Sequence, residues 1–197
     1  MTPTEPTESA AAKPPLITPT FVLAWVANFC QFLVFYLFVT TMALYAVESF
    51  GASDTVGGFA SSAFVLGATC MRVFSGWIVD RVGHKKAALT SLVFVTVVAV
   101  AYFFAHNVAV LIIVRMVHGA GYALTSTALM AVAQSVIPHE RRAEGTGYFA
   151  LGTTLATAFG PAIGLLLANN IGYTTLFAVA LGANIVSLIL ALVLRYP

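Results

Sequence analysis

The chain contains six long apolar stretches that are separated by short polar segments. Each stretch is at least as long as the roughly 20 residues with which an α-helix crosses a bilayer. Inside hydrocarbon every backbone N–H and C=O group needs a partner within the chain, and the alternation typical of membrane β-strands is absent. The pattern therefore predicts six membrane-spanning helices, at residues 20–46, 55–79, 86–105, 108–136, 145–168 and 174–194.

The amino-acid composition agrees with this prediction. Of the 197 residues, 60% are hydrophobic and only 8% are charged. Soluble domains carry about 45–50% apolar and about 25% charged residues. So few charges would not keep a chain of this size in water, which argues against a soluble enzyme, a secreted module and a disordered protein. We expect an all-α membrane protein whose main partner is the lipid bilayer.

The first 19 residues differ from the rest of the chain. They contain five prolines among threonine, glutamate and alanine, and a segment of this composition cannot bury enough apolar surface to fold. We therefore divide the chain into a disordered cytoplasmic tail, residues 1–19, and a six-span transmembrane region, residues 20–197.

The basic residues are distributed unevenly between the two ends of the predicted spans. The loops between spans one and two, three and four, and five and six contain no lysine or arginine. Because basic residues favour the cytoplasmic side, we expect both termini of this cell-membrane protein in the cytoplasm. The seven basic residues of the other loops and ends are Lys13, Arg81, Lys85, Lys86, Arg141, Arg142 and Arg195.

The loop after span two carries the most specific motif of the chain. Gly76 and Asp80 are four residues apart, so they lie on one face at the cytoplasmic end of that helix. Gly76 permits the close approach of another helix, and Gly83 permits a tight reversal into span three. An ordinary basic loop that only anchors the topology is the simpler alternative.

This loop resembles the signature loop of the major facilitator superfamily. His84 is the one departure, because it shifts the final basic pair by one position. The resemblance implies a transporter of two six-helix halves, of which this chain is the N-terminal half of the general-substrate-transporter fold. It also implies a conformational latch between the halves at the cytoplasmic face. The matching residues are Gly76, Asp80, Arg81, Gly83, Lys85 and Lys86.

Span four contains Arg115 within its apolar run. A cation there costs about 2.5–3.5 kcal/mol on insertion scales, which favours an inward or pore-facing position. Snorkelling to the outer interface is the alternative. Arg115, His118 and Tyr122 share one helix face, and the segment resembles the family's span-four motif, which implies proton coupling. A lone histidine in this place is more often a satisfied interior residue.

Span five has a small residue at every fourth position, which predicts a groove for close helix packing. Its Gly-Pro-x-x-Gly sequence resembles a motif of the family's antiporter branch, although Leu165 replaces the usual second terminal glycine. A general packing seam is the alternative, and a hinge would need the same groove. We expect spans two and five to expose small or apolar surface toward a second half. The packing and hinge residues are Gly152, Ala156, Gly160, Pro161 and Gly164.

Polar residues in span one point to a cavity. We expect Asn28 and Gln31 to line it together with the polar face of span four. Arg72 of span two is interpreted as snorkelling toward the cytoplasm, with a cavity-facing position as the alternative. Since no aspartate or glutamate lies deep inside a predicted span, a buried coupling carboxylate would have to belong to a second half. No metal-ligand spacing and no basic stripe is present, so we expect no metal, no cofactor and no nucleic-acid partner.

These features favour a secondary active transporter that moves a small solute by alternating access, and the resemblance points to proton-coupled efflux. The expected partners are a small-molecule solute, protons, and either a missing C-terminal six-helix half or a second copy. The alternative is a six-helix membrane scaffold or assembly subunit without transport activity of its own. A membrane-embedded enzyme is disfavoured, because the chain contains no catalytic constellation.

Overall fold

The computed structural model of the protein describes residues 14–194, and over this range it confirms the six helices. Each of them is long and apolar enough to cross a membrane. Two short 3₁₀ turns, Tyr102–Phe104 and His139–Arg141, lie beside them. The helices are α1 (Pro19–Phe50), α2 (Asp54–Val82), α3 (His84–Ala101), α4 (Val108–Val136), α5 (Arg142–Asn170) and α6 (Tyr173–Val193).

Several helices extend beyond the apolar stretch that predicted them. α1 continues for one turn past residue 46 and stops at Gly51, whose φ of 64° is left-handed. The backbone N–H of Gly51 bonds back to the last turn of the helix. Ser53 then caps α2, because its hydroxyl accepts a hydrogen bond from the backbone N–H of Val56. Apolar length marks the hydrocarbon layer, whereas capping residues decide where a helix begins and ends.

The tail proposed for residues 1–19 lies mainly outside the described residues. Its last part is placed against the bundle. Leu16 is 3% exposed and belongs to the apolar core, and the Thr18 hydroxyl caps the first turn of α1. The carbonyl of Pro14 accepts a hydrogen bond from Arg141 at 3.0 Å. The composition did not predict this packed end, because one leucine and one capping threonine are enough to fix it.

The first three helices and the last three pack in equivalent ways. α2 lies along α4 just as α5 lies along α1, and α3 packs on α4 just as α6 packs on α1. If α1, α2 and α3 take the places of α4, α5 and α6, and the reverse, the same main pairs of packed helices result. This is the arrangement of a three-helix internal repeat. Inspection of the sequence did not reveal this repeat, which the helix packing makes visible.

Buried apolar side chains form two main clusters, one toward each end of the helices. Phe21, Leu129 and Phe149 belong to the cluster at the end with the basic loops, while Phe38 and Leu111 belong to the other. Lipid tails are as apolar as these side chains, so burial alone does not hold membrane helices together. Close packing has to supply the attraction instead.

α2 and α4 approach each other closely at two glycines. A Cβ atom added to Gly67 of α2 would overlap the backbone of Met116 in α4. A Cβ atom added to Gly119 of α4 would overlap the backbone of Phe64 in α2. The two backbones therefore touch directly, and no residue with a side chain fits either position without a helix shift.

We expect Gly119→Ala to destabilise the bundle, because the added methyl group forces α2 and α4 apart. Overpacking of this kind typically costs about 1–3 kcal/mol. The matched control is Gly182→Ala, since a Cβ atom at that position meets nothing within 4 Å. Unfolding in detergent, followed by circular dichroism, measures both variants. Equal unfolding midpoints for the two would contradict the close contact of these backbones.

Candidate functional site

A partly polar cavity of about 270 Å³ lies among four of the six helices, α1, α2, α4 and α5. At a rise of 1.5 Å per residue, its lining residues lie about 10–20 Å along each helix from the end with the basic loops. The cavity thus reaches deep into the predicted hydrocarbon layer. The lining residues are Asn28, Phe32, Arg72, Ser126, Thr127, Met130, Phe149, Ala150 and Thr153.

The two amides of span one have different surroundings. Asn28 lines the cavity; it is 3% exposed, and its Oδ1 has no hydrogen-bond partner among the described residues. Gln31 is 1% exposed and donates a hydrogen bond from Nε2 to Oδ1 of Asn184 on α6, at 3.0 Å. The structure therefore places Asn28 at the cavity and gives Gln31 a contact that joins α1 to α6.

Arg72 lies on the cavity wall, on the exposed side of α2. Its place on the wall agrees with the cavity-facing interpretation of this residue. It is the only residue with a formal charge among those that line the cavity. Its position within an apolar helix was the signal in the sequence, but the pattern alone did not decide which way the side chain points.

Arg115 is fully buried and lies away from the cavity, among α1, α2 and α4. Its Nη2 donates to the backbone carbonyl of Ser61 at 2.8 Å, and its Nε donates to that of Ala60 at 3.4 Å. The guanidinium also lies 4.8 Å from the ring centroid of Phe64, while Nη1 has no partner among the described residues. The side chain does not snorkel to the surface, since its exposed fraction is 0%.

His118 and Tyr122 extend this buried group along α4. Nδ1 of His118 is 3.0 Å from the hydroxyl of Tyr102, next to the third helix. Tyr122 packs against Phe64 and against Phe32, with ring centroids 5.1 and 5.6 Å apart. Because Phe32 lines the cavity, Tyr122 connects the Arg115 layer to the cavity wall through ring contacts. Neither His118 nor Tyr122 lines the cavity itself.

The residues of the signature loop separate into two groups. Gly76 and Asp80 are exposed on α2, and within residues 14–194 no hydrogen bond or ion pair reaches Asp80. The Arg81 guanidinium lies 5.4 Å from the ring of Trp77, which is also exposed.

The second group faces the bundle or forms the turn. Gly83, with a φ of 94°, ends α2 and precedes α3. Lys85 donates to the carbonyl of Leu194 at the end of α6, at 2.7 Å, while Lys86 is exposed. Of the two lysines in the proposed latch, Lys85 therefore makes a contact inside this six-helix unit.

The small residues named for packing in α5 face α1, not the outside. A Cβ atom at Gly152 would lie 3.2 Å from the ring of Trp25, and Ala156 is fully buried. Glycines 160 and 164 press against the backbone of Tyr36 and Leu37, and Pro161 lies inside the uninterrupted helix. These packing residues are thus turned inward. The exposed side of α5 carries large apolar residues together with alanines such as Ala158 and Ala162, which agrees with the expected small or apolar surface. The large residues are Tyr148, Leu151, Leu155, Phe159 and Ile163.

Two polar residues of α6 were missed by the sequence reasoning. Asn184 binds Gln31, and the hydroxyl of Ser187 donates to the carbonyl of Ala27 at 2.9 Å. Both are fully buried. The signal in the sequence was the amide of Asn184 within an otherwise apolar span. Within the described chain, no group of three histidine, cysteine or acidic residues is placed to hold a metal ion.

Comparison with known proteins identifies this helix bundle. Residues 24–197 match the Major Facilitator Superfamily. The chain belongs to the Major Facilitator Superfamily. This match covers all six helices and confirms both the resemblance and the half-transporter fold class. The superfamily is one of membrane transporters, and the chain is accordingly a multi-pass membrane protein.

Curated relatives in the superfamily include export proteins. The staphylopine export protein of Staphylococcus aureus is 31% identical over 66% of this chain and 32% of its own length. The multi-drug resistance efflux pump PmrA of Streptococcus pneumoniae is 30% identical over 79% of this chain and 39% of its own. The MFS-type transporter YwoD of Bacillus subtilis is 27% identical over 77% and 34%. The chain spans about a third of the length of these relatives.

The Gln31–Asn184 pair generates a stability prediction. Gln31→Leu leaves the Asn184 oxygen buried without a donor, so we expect a loss of stability of about 0.6–1.7 kcal/mol, as for interhelical hydrogen bonds in other membrane proteins. The double variant, with Asn184→Leu added, should recover most of this loss because both polar groups are then removed. Unfolding in detergent is measured for the wild type, both single variants and the double variant. Strictly additive losses of stability would mean that the two amides do not interact.

Proposed function

We propose that the chain is the N-terminal half of a secondary active transporter that moves a small solute across the cell membrane by alternating access. The observation that carries the proposal is the partly polar cavity among α1, α2, α4 and α5, within a chain that belongs to a transporter superfamily. A second six-helix half, or a second copy of this chain, would complete the path. The names of two relatives, an export protein and an efflux pump, favour export.

We further propose that export is coupled to proton entry. The motifs of α4 and α5 support this coupling by their resemblance to proton-coupled and antiporter relatives. Every acidic residue of the described helices lies in a first or last turn, as Glu48, Asp54, Asp80 and Glu144 do. The proton-carrying carboxylate therefore belongs to the second half in this mechanism.

In the same proposal Arg115 is a positioning residue. Its hydrogen bonds to two α2 carbonyls hold α4 against α2 at a fixed register. Asp80 differs from Arg115, since it is exposed at the end of α2 and has no partner within residues 14–194. It is available to contact the second half when the cytoplasmic side closes, which is the latch role that the signature loop implies.

The first prediction of the proposal concerns orientation. In a background of Cys30→Ala and Cys70→Ala, we expect Lys86→Cys to resist a membrane-impermeant maleimide in intact cells and to react after permeabilisation. Basic loops remain on the cytoplasmic side, which is the physical reason. The matched variant is Asn169→Cys, at the opposite end of the bundle and also exposed, and it should react in intact cells. The reverse labelling pattern would contradict cytoplasmic termini.

The second prediction concerns transport. Membrane vesicles that contain the chain together with a second six-helix half should accumulate or release a dye when a proton gradient is imposed. We suggest one cationic dye, ethidium, and one anionic dye, fluorescein, so that the test does not presuppose the charge of the solute. Asp80→Asn should lower the flux about tenfold or more, because the latch carboxylate loses its charge.

Two comparisons make this measurement specific. Glu140→Gln removes an exposed charge at the same end of the bundle and should leave the flux unchanged. Arg115→Ala should lower the flux together with the unfolding midpoint, since it removes a contact between helices. Full flux in both Asp80→Asn and Arg115→Ala would overturn these residue assignments. No flux of either dye under any gradient would favour the scaffold alternative.

A further inference from the structure

The cavity has a positive charge on an otherwise neutral wall. Arg72 is the only charged side chain among the residues that line it. The acidic residues of the described chain lie at helix ends or in the connecting turns, and none of them lines the cavity. They are Glu48, Asp54, Asp80, Glu140 and Glu144. Nothing in the described wall therefore neutralises the guanidinium.

The hydroxyl groups of the wall do not provide an anionic partner either. Ser126 donates to the backbone carbonyl of Ala123 at 3.2 Å. The Thr127 hydroxyl lies 2.8 Å from the same carbonyl and 3.1 Å from the hydroxyl of Ser75, and Thr153 supplies the third hydroxyl of the wall. All three are neutral groups. A neutral hydroxyl oxygen is a much weaker partner for a guanidinium than a carboxylate or phosphate group.

Asn28 adds a neutral polar group to the wall. Its side chain is 3% exposed, and Oδ1 is closed off and has no hydrogen-bond partner among the described residues. Nδ2 makes no hydrogen bond to a described residue either, and the N–H groups of this amide are donors. The wall thus presents one cation and one amide donor.

We propose that this cavity binds a small organic anion that also carries a second oxygen acceptor. The anionic group pairs with the Arg72 guanidinium, and the second oxygen accepts a hydrogen bond from Nδ2 of Asn28. Phe32, Met130 and Phe149 form the apolar part of the wall, against which the carbon skeleton lies. The planar guanidinium suits a carboxylate or phosphate group, which it binds through two parallel hydrogen bonds.

This inference rests on the proposed function only in taking the cavity as the solute site. It adds a selectivity rule. A cationic solute would meet a like charge at Arg72, and a neutral solute would leave the guanidinium unpaired, so both are discriminated against. The rule concerns binding, and it can therefore be tested without measuring transport.

The test uses the chain in lipid nanodiscs and three probes of one shape at neutral pH. 3-Hydroxybenzoate carries the anion and a second oxygen, benzoate lacks that oxygen, and 3-hydroxybenzamide lacks the charge. Equilibrium dialysis gives the affinities. We expect the first probe to bind about tenfold more tightly than the amide and about fivefold more tightly than benzoate, from the usual strengths of charged and neutral hydrogen bonds.

The variants assign each preference to one residue. Arg72→Gln should abolish the preference for the anion over the amide, and Arg72→Lys should retain part of it. Asn28→Leu should abolish the preference for 3-hydroxybenzoate over benzoate and keep the preference for charge. The matched control is Arg142→Gln, which makes the same charge change at an exposed position outside the cavity and should leave all three affinities unchanged.

The outcomes separate this inference from the proposed function. Unchanged affinity of Arg72→Gln for 3-hydroxybenzoate, or no binding of that probe to the wild-type chain, overturns the anion site. If the vesicle assay then still moves ethidium, the transporter proposal stands without it. If the anion binds through Arg72 but neither dye moves in vesicles, the binding site stands and the transport proposal fails.

Discussion

Direct contact between helix backbones is the interaction on which the rest of this bundle depends. In a bilayer the apolar side chains gain little by leaving lipid for protein, so helices associate where their backbones approach closely. Gly67 and Gly119 provide that approach between α2 and α4, and Gly160 and Gly164 provide it between α5 and α1. These two helix pairs are equivalent in the internal repeat, and they fix the positions of all four helices that wall the cavity.

The α2–α4 contact also explains the position of Arg115. Because the two backbones touch, the guanidinium reaches the carbonyls of Ala60 and Ser61 from the facing helix. Arg115 lies 11 residues before Ser126, or about 16 Å along α4, so it does not contact a solute in the cavity. Any influence on that solute passes through packing, and the rings of Phe64, Tyr122 and Phe32 form a continuous connection between the two levels.

The six helices and the family could be predicted from the sequence because apolar length and the signature loop are encoded in contiguous residues. The contacts of the site could not, because they join distant segments. Asn28 and Gln31 are neighbours on one helix, yet one lines the cavity and the other binds Asn184, 153 positions away. The spacing of small residues in α5 correctly predicted close packing, but only the fold identifies α1 as its partner.

Exposed apolar surface does not distinguish lipid from a protein partner, since both can cover it. A charged side chain on the exposed face does distinguish lipid from a protein partner, because it is unfavourable against lipid. Arg72, Gly76 and Asp80 follow one another at intervals of four along α2, and they form one stripe on its exposed side. A cation within the hydrocarbon layer is unfavourable against lipid by about 2.5–3.5 kcal/mol on insertion scales. This stripe is therefore the side of α2 that faces away from lipid, and it is where we place the second half of the proposed transporter. Arg72 of this stripe also lines the cavity, so that the solute and the second half would meet at this residue.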